Sequence, residues 1–145
     1  VCGGRLKPVL DALIVLKEEG VWIEITNLII PTLNDNKREI RAMCDWIVKN
    51  LGPDVPIHFS RFFPNYKLKD LPPTPLETMR DARTAAMEAG LRYVYMGNMR
   101  SEAENTYCHR CKNLIIERHG YFVKQNNISN GKCRFCNTAI PGIWS

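Results

Sequence analysis

Gly20-Val21-Trp22-Ile23-Glu24-Ile25-Thr26 sets a helix terminator directly ahead of six residues of alternating character, and its reading decides the fold of the first hundred residues. Successive side chains of an extended chain point to opposite faces, so Val21, Ile23 and Ile25 share one side and Trp22, Glu24 and Thr26 the other. Upstream, Leu6, Val9, Leu10, Leu13 and Leu16 recur at helical spacing, with Pro8 in a first-turn position and Gly20 suited to the left-handed residue that closes a helix. Downstream, the loop Pro31-Thr32-Leu33-Asn34-Asp35 leads into a second helix whose face is Ile40, Met43, Ile47 and Leu51, with Cys44 beside it and Gly52-Pro53 as its stop. Pro56-Ile57-His58-Phe59-Ser60-Arg61-Phe62 is the next strand.

Beyond a proline- and lysine-bearing loop from Pro64 to Pro73, Thr74-Pro75-Leu76-Glu77 has the form of a capping box with proline at the first helical position. Leu76, Met79, Ala82, Ala86 and Ala89 predict a third helix with a small-residue inner face, ended by Gly90. Tyr93-Val94-Tyr95-Met96 predicts a further strand ahead of Gly97-Asn98. The order helix, strand, helix, strand, helix, strand is that of parallel α/β units, with right-handed crossovers carrying the helices to the outside of the sheet.

Strands buried on both faces read as nearly continuous apolar runs. Here polar residues recur instead. With Val21, Ile23, Ile25, Ile57 and Phe59 against the helices, Glu24, Thr26, His58 and Ser60 all project to the other side, which in a barrel is the interior. Any one of them alone is satisfied by a neighbour or a backbone amide in a half-exposed sheet. Their coincidence on two strands predicts a ligand cavity.

The last third of the chain carries Cys108-x-x-Cys111 and Cys133-x-x-Cys136, with 21 residues between the pairs. A two-residue gap lets both sulfurs of a pair turn toward one ion, and two such knuckles complete a tetrahedron for zinc or a single iron. Between them, Leu114-Ile115-Ile116-Glu117-Arg118, His119-Gly120 and Tyr121-Phe122-Val123 read as two short strands around a turn, predicting a zinc-ribbon or rubredoxin-like hairpin. Two disulfides are the alternative that spacing leaves open. His109 and His119 are possible substitute ligands, but His109 lies inside a knuckle, where the side chain is expected to point outward, and four thiolates complete the set. Four cysteines also leave no open position for a hydrolytic water, which argues against a catalytic zinc.

With 145 residues and 45% hydrophobic content, the chain accommodates a modest domain and a small module. The expected division is an α/β portion over residues 1–100 and a metal-binding ribbon over 101–145, the boundary falling near Arg100 to Asn105. So short a ribbon holds no core without its ion. Formal net charge is +5. The ribbon's six basic residues against three acidic ones are offset once four thiolates bind a divalent ion, so basicity is weak evidence for nucleic acid. No apolar run approaches the ~20 residues of a membrane span. With no signal-peptide pattern and no evident partners for Cys2 and Cys44, a reducing, cytoplasmic setting is expected. Cys44 reads as a small core residue and Cys2 has no assigned role. Two βα units and a spare strand cannot close a barrel, which takes ~250 residues. Together with a start at Val1-Cys2-Gly3-Gly4, this leads to the expectation of a C-terminal piece of a longer protein.

Gly20 to Pro31 followed by Asn34-Asp35 resembles a late barrel segment of radical S-adenosylmethionine enzymes of the pyruvate formate-lyase activating type. Pro56-Ile57-His58-Phe59-Ser60-Arg61-Phe62-Phe63-Pro64-Asn65-Tyr66, Gly90 to Asn98, Asn105-Thr106-Tyr107-Cys108 and Ile140-Pro141-Gly142-Ile143-Trp144 resemble the radical enzyme of the AmmeMemoRadiSam system. The resemblance covers essentially the whole chain, including the terminal tetracysteine module that generic activating enzymes lack. It implies the C-terminal part of a partial (β/α)6 TIM-like barrel that binds a [4Fe-4S] cluster and S-adenosylmethionine, cleaves the latter reductively and uses the 5′-deoxyadenosyl radical to abstract hydrogen.

The chain departs from that pattern in two respects. The cluster motif C-x3-C-x2-C and the glycine-rich strand that contacts the methionine amino group are absent, so the cluster ligands are expected outside this chain, and this piece alone is expected to be inactive. His58, in the Pro-x-His pattern, matches a position that contacts S-adenosylmethionine in activating enzymes. Glu24, Thr26 and Ser60 are expected to line the cavity, and Arg61 and Asn65 to shape its rim or face solvent. The ribbon is expected to be structural, with iron-based electron transfer the lesser alternative. The family name implies two companion proteins as partners, and the radical's substrate is unknown.

A competing expectation is a free-standing zinc-ribbon module that contacts nucleic acid or protein, with Arg110, Lys112, Lys132 and Arg134 flanking the knuckles and Tyr107, Tyr121 and Phe135 as stacking surfaces. The same residues have an ordinary role, the cations offsetting thiolate charge and the aromatics supplying the ribbon's small core.

Overall fold

The computed structural model describes residues 3–99 and 101–144; Cys2 lies outside the described residues. The first part follows the expected order: α1 (Leu6–Glu18), β1 (Ile25–Ile29), α2 (Lys37–Asn50), β2 (Ile57–Arg61), α3 (Leu76–Ala89) and β3 (Val94–Gly97). The three strands form one parallel sheet in the order β1-β2-β3. Its register puts Thr26, His58 and Tyr95 side by side, and likewise Ile25, Ile57 and Val94.

Alternation then divides the sheet. Ile57, Phe59, Val94 and Met96 turn to one face, where Ile40, Cys44 and Ile47 of α2 and Met79, Ala82 and Ala86 of α3 cover them in a single buried cluster. Asn36 starts α2 by accepting from the amides of Arg38 and Glu39 through its side chain. Gly90, at φ +107°, closes α3 in the left-handed conformation.

Three expectations are corrected here. The first strand runs from Ile25 to Ile29 rather than from Val21. Val21 is exposed and Trp22 to Glu24 precede the ladder, although their side chains keep the predicted parity. The capping box does not form. Pro75 is the N-cap of α3, and the Thr74 hydroxyl instead donates to the Ile29 carbonyl (2.6 Å) and accepts from the Phe62 amide (2.9 Å), clasping the ends of β1 and β2. The apolar side of α1 buries no residue, and Leu6, Val9, Val15 and Leu16 are exposed; only Leu13 packs against the core.

A short 3₁₀ turn, Glu102–Glu104, leads to the second part: β4 (Thr106–Tyr107), β5 (Leu114–His119) and β6 (Phe122–Asn126) in one antiparallel sheet, with β7 (Ile128–Ser129) and β8 (Lys132–Cys133) in another. This is the predicted hairpin, built as a zinc-ribbon-like module. Its core corrects the sequence reading, for it is made of Ile115, Ile116, Ile128 and Ile140 with Tyr93 contributed by the parallel unit. Tyr121, Phe122 and Phe135 are exposed and contribute nothing to it. No described helix is long and apolar enough to cross a membrane.

Candidate metal centre and polar cleft

The two knuckles are built alike, residue for residue. In the first, the Cys108 amide donates to the Asn113 carbonyl (2.9 Å) and the Lys112 amide to the Cys108 carbonyl (2.9 Å). In the second, the Cys133 amide donates to the Thr138 carbonyl (2.9 Å) and the Asn137 amide to the Cys133 carbonyl (2.8 Å). Each turn closes through a left-handed residue, Lys112 at φ +62° and Asn137 at φ +59°. Asparagine tolerates this conformation better than lysine. The next residue then serves a sulfur: Asn113 Nδ2 donates to Cys111 Sγ at 3.3 Å, and the Thr138 hydroxyl lies 3.4 Å from Cys136 Sγ.

The four Sγ atoms lie within 4.8 Å of one another. Cys108 to Cys136 is 3.6 Å and Cys111 to Cys133 is 3.7 Å. Zinc–sulfur bonds of 2.3 Å in a tetrahedron give an edge of about 3.8 Å, so the cage fits one ion, zinc or iron. A disulfide needs sulfurs about 2 Å apart, and all four cysteines are free thiols. The sulfurs differ in their readiness to ionise. Burial pushes the Cys108 thiol up to about 11, whereas the Thr138 side chain and amide bring Cys136 down to about 6. Hydrogen bonds from Asn113 also lower Cys111. His109 stands outside the four-sulfur cluster and does not point outward as the sequence predicts; its Nδ1 meets the Tyr93 hydroxyl at 2.9 Å. That bond ties the first knuckle to the sheet. His119 is exposed at the end of β5.

The polar face of the parallel sheet opens into a cleft of about 1050 Å³. Glu24, Thr26, His58 and Ser60 all line it, so the structure brings together the four residues singled out by parity. His58 Nε2 and Glu24 Oε2 are 2.8 Å apart, and Trp22 Nε1 donates to the other Glu24 oxygen at 3.0 Å. Burial pushes the Glu24 carboxyl up, but the bonds from Trp22 and His58, with the charges of His58 and Arg118, outweigh it and leave the group below its ordinary value. The His58 ring stacks on Tyr95 with centroids 4.9 Å apart. Arg61 and Asn65 stay out of the cleft; Arg61 Nε donates to the Thr74 carbonyl, and Asn65 accepts from the Tyr66 amide. Cys44 is a fully buried core residue whose thiol burial pushes up to about 11.

The opposite wall was not foreseen in the sequence. It comes from the ribbon: Arg118, Ile116 and Tyr121 from the β5–β6 hairpin, and Pro141 to Trp144 from the tail. Arg118 reaches the Thr106 hydroxyl (2.7 Å), which in turn meets the Tyr95 hydroxyl (2.9 Å), so a polar chain crosses from ribbon to sheet. Tyr95 was within reach of the parity argument, since it follows Tyr93-Val94 and pairs with His58. Arg118 carried no signal, because the long-range docking of the ribbon sets its position. Trp144 is seated against Gly131 and Gly142, where a Cβ would come within 2.9 and 2.8 Å of its ring.

The chain is 45% identical over 143 residues to the uncharacterized protein MJ0808 of Methanocaldococcus jannaschii, an alignment that takes in 97% of this chain and 43% of that protein. The chain thus spans under half the length of the curated relative it matches. No family model matches it. No solved structure matches it.

Proposed function

We propose that this chain is the C-terminal portion of a radical S-adenosylmethionine enzyme, in which the polar face of the parallel sheet forms one wall of the S-adenosylmethionine site and the ribbon's metal is structural. The observation that carries the reading is His58, which stands in the Pro-x-His pattern and at the centre of the polar row over the cleft. Glu24 fixes the ring from one side and Tyr95 from below, so His58 is held ready to bond a polar ligand atom with little loss of side-chain freedom. Thr26 and Ser60 add hydroxyls on the same face.

The residues here do not fit the cluster. The tetracysteine cage is sized for a single ion, Cys44 is buried in the core, and the sequence has no C-x3-C-x2-C, so the described residues assemble no [4Fe-4S] ligand set. The same reading accounts for the unburied apolar side of α1 and the unpaired edge of β1, which another α/β unit of a partial barrel would cover. It puts the protein in the cytoplasm, beside the two companion proteins that the resemblance implies. The test is to read the coding frame upstream of Val1. A C-x3-C-x2-C motif followed by α/β repeats is expected; a start codon immediately before Val1 would overturn the proposal.

A second reading, a ribbon that docks protein or nucleic acid, is favoured by one observation: Tyr121, Phe122 and Val123 at the hairpin tip are all exposed. A salt-dependent affinity for nucleic acid, lost on replacing Tyr121 and Phe122, would promote it.

A further inference from the structure

At the seam between the parallel unit and the ribbon lies a second, smaller cavity of about 210 Å³. Four basic side chains line it, Arg83 and Arg92 from the parallel unit and His109 and Lys112 from the first knuckle, and no Asp or Glu does. One carboxylate counters them from outside the wall, Asp54, which pairs with Arg92 at 2.9 Å. None of the ion pairs among the described residues involves Arg83, His109 or Lys112. Arg83 Nε is buried and makes no hydrogen bond.

A buried guanidinium N–H without an acceptor is costly, and because Arg83 Nε has almost no accessible surface, an anion in the cavity relieves that cost through a shift of the Arg83 side chain. The planar fork of arginine matches the oxygens of phosphate in two parallel bonds, with lysine adding a point charge. Size narrows the class further. At about 30 Å³ per water, the cavity has room for about seven waters, or for a tetrahedral oxyanion with a few of them, and it falls below the ~300 Å³ where ordinary small-molecule sites begin. Cys108 also forms part of the wall, and as a metal-bound thiolate it would account for a lysine and a histidine on its own knuckle. It does not account for two arginines brought from α3 and the loop before β3, one of them with an orphaned donor.

We propose that this seam is a binding site for a phosphate-type oxyanion, held by the Arg83 and Arg92 guanidiniums, with Lys112 and His109 closing it from the ribbon. The site is independent of the radical-enzyme reading and stands or falls without it. An occupied site would bridge the two parts of the chain through the Arg83, Arg92 and Lys112 cations and one anion.

The test titrates inorganic phosphate into the zinc-loaded chain, followed by calorimetry and by the Nε–H signals of the arginines in NMR. Saturable 1:1 binding that shifts the Arg83 and Arg92 signals is expected. Arg83→Met should weaken it at least about tenfold, and Arg92→Met should act in the same direction. Arg134→Met, on the second knuckle and outside the cavity, should change it by less than about twofold. Cobalt substituted for zinc reports by its thiolate absorption that each variant keeps its fold and metal. Glycerol phosphate in parallel separates the sources: tighter binding than inorganic phosphate marks the phosphoryl group of a larger molecule, and equal or weaker binding marks the free ion. Absence of saturable binding, an inert Arg83→Met, or an Arg134→Met effect as large as that of Arg83→Met would overturn the proposal.

Discussion

Thr74 has no exposed surface, and its hydroxyl makes two bonds to backbone groups of different strands. Replacing it by valine keeps the shape but leaves the Ile29 carbonyl and Phe62 amide without this partner. Thr74→Val should therefore cost about 1–3 kcal/mol in chemical denaturation, more than the loss of a surface helix cap. The residue was legible as a capping box and the structure spends it elsewhere, because the sequence motif contains nothing of the strand ends that compete for its hydroxyl. Glu24 supplies the second test at this scale. Its carboxyl is held below the ordinary 4.5, so it contributes stability that is present above that value and lost as pH falls through the lower folded value. His58→Ala and Trp22→Phe should each move the Glu24 midpoint upward in a carbon-detected NMR titration, and each should reduce the loss of stability on acidification below 4.5. An unchanged midpoint in both variants would show that these bonds do not set it.

At the scale of elements, the ribbon is expected to depend on a metal ion held by its four cysteines. Its buried apolar cluster is four isoleucines, two cysteines and a tyrosine borrowed from the sheet, a core too small to stand alone. Removing the metal with a chelator should abolish hydrogen-exchange protection in β5, β6 and β8 while amides of α2 and β2 keep theirs; simultaneous loss in both would make them one cooperative unit. Cys136→Ser should reproduce the chelator's effect. The order of elements was readable in advance because helix period, strand alternation and glycine stops agree along the first hundred residues. The paired knuckles were readable from spacing alone. The aromatic residues were misread, since Tyr121 and Phe135 look like core material in a short ribbon until Ile115, Ile116 and Ile128 are seen to fill the space.

Across the whole molecule, the ribbon is docked over the polar side of the sheet, with Tyr93 meeting His109 and Tyr95 meeting Thr106 and Arg118. The helices take the other side, so the cleft has one wall from each part. The sheet wall was legible, because parity fixes which residues of a strand share a face once the apolar set is assigned to the helices. The ribbon wall was not, because nothing local in Arg118 or Trp144 marks that they line the same cleft as Glu24, Thr26 and His58. The most direct measurement of the radical-enzyme proposal is 5′-deoxyadenosine formation by the protein expressed from the full coding frame, reconstituted anaerobically with iron and sulfide and given S-adenosylmethionine and a low-potential reductant. Multiple turnovers, reduced at least about tenfold in His58→Ala, are predicted; a reconstituted protein that binds no cluster and forms no 5′-deoxyadenosine would contradict the proposal.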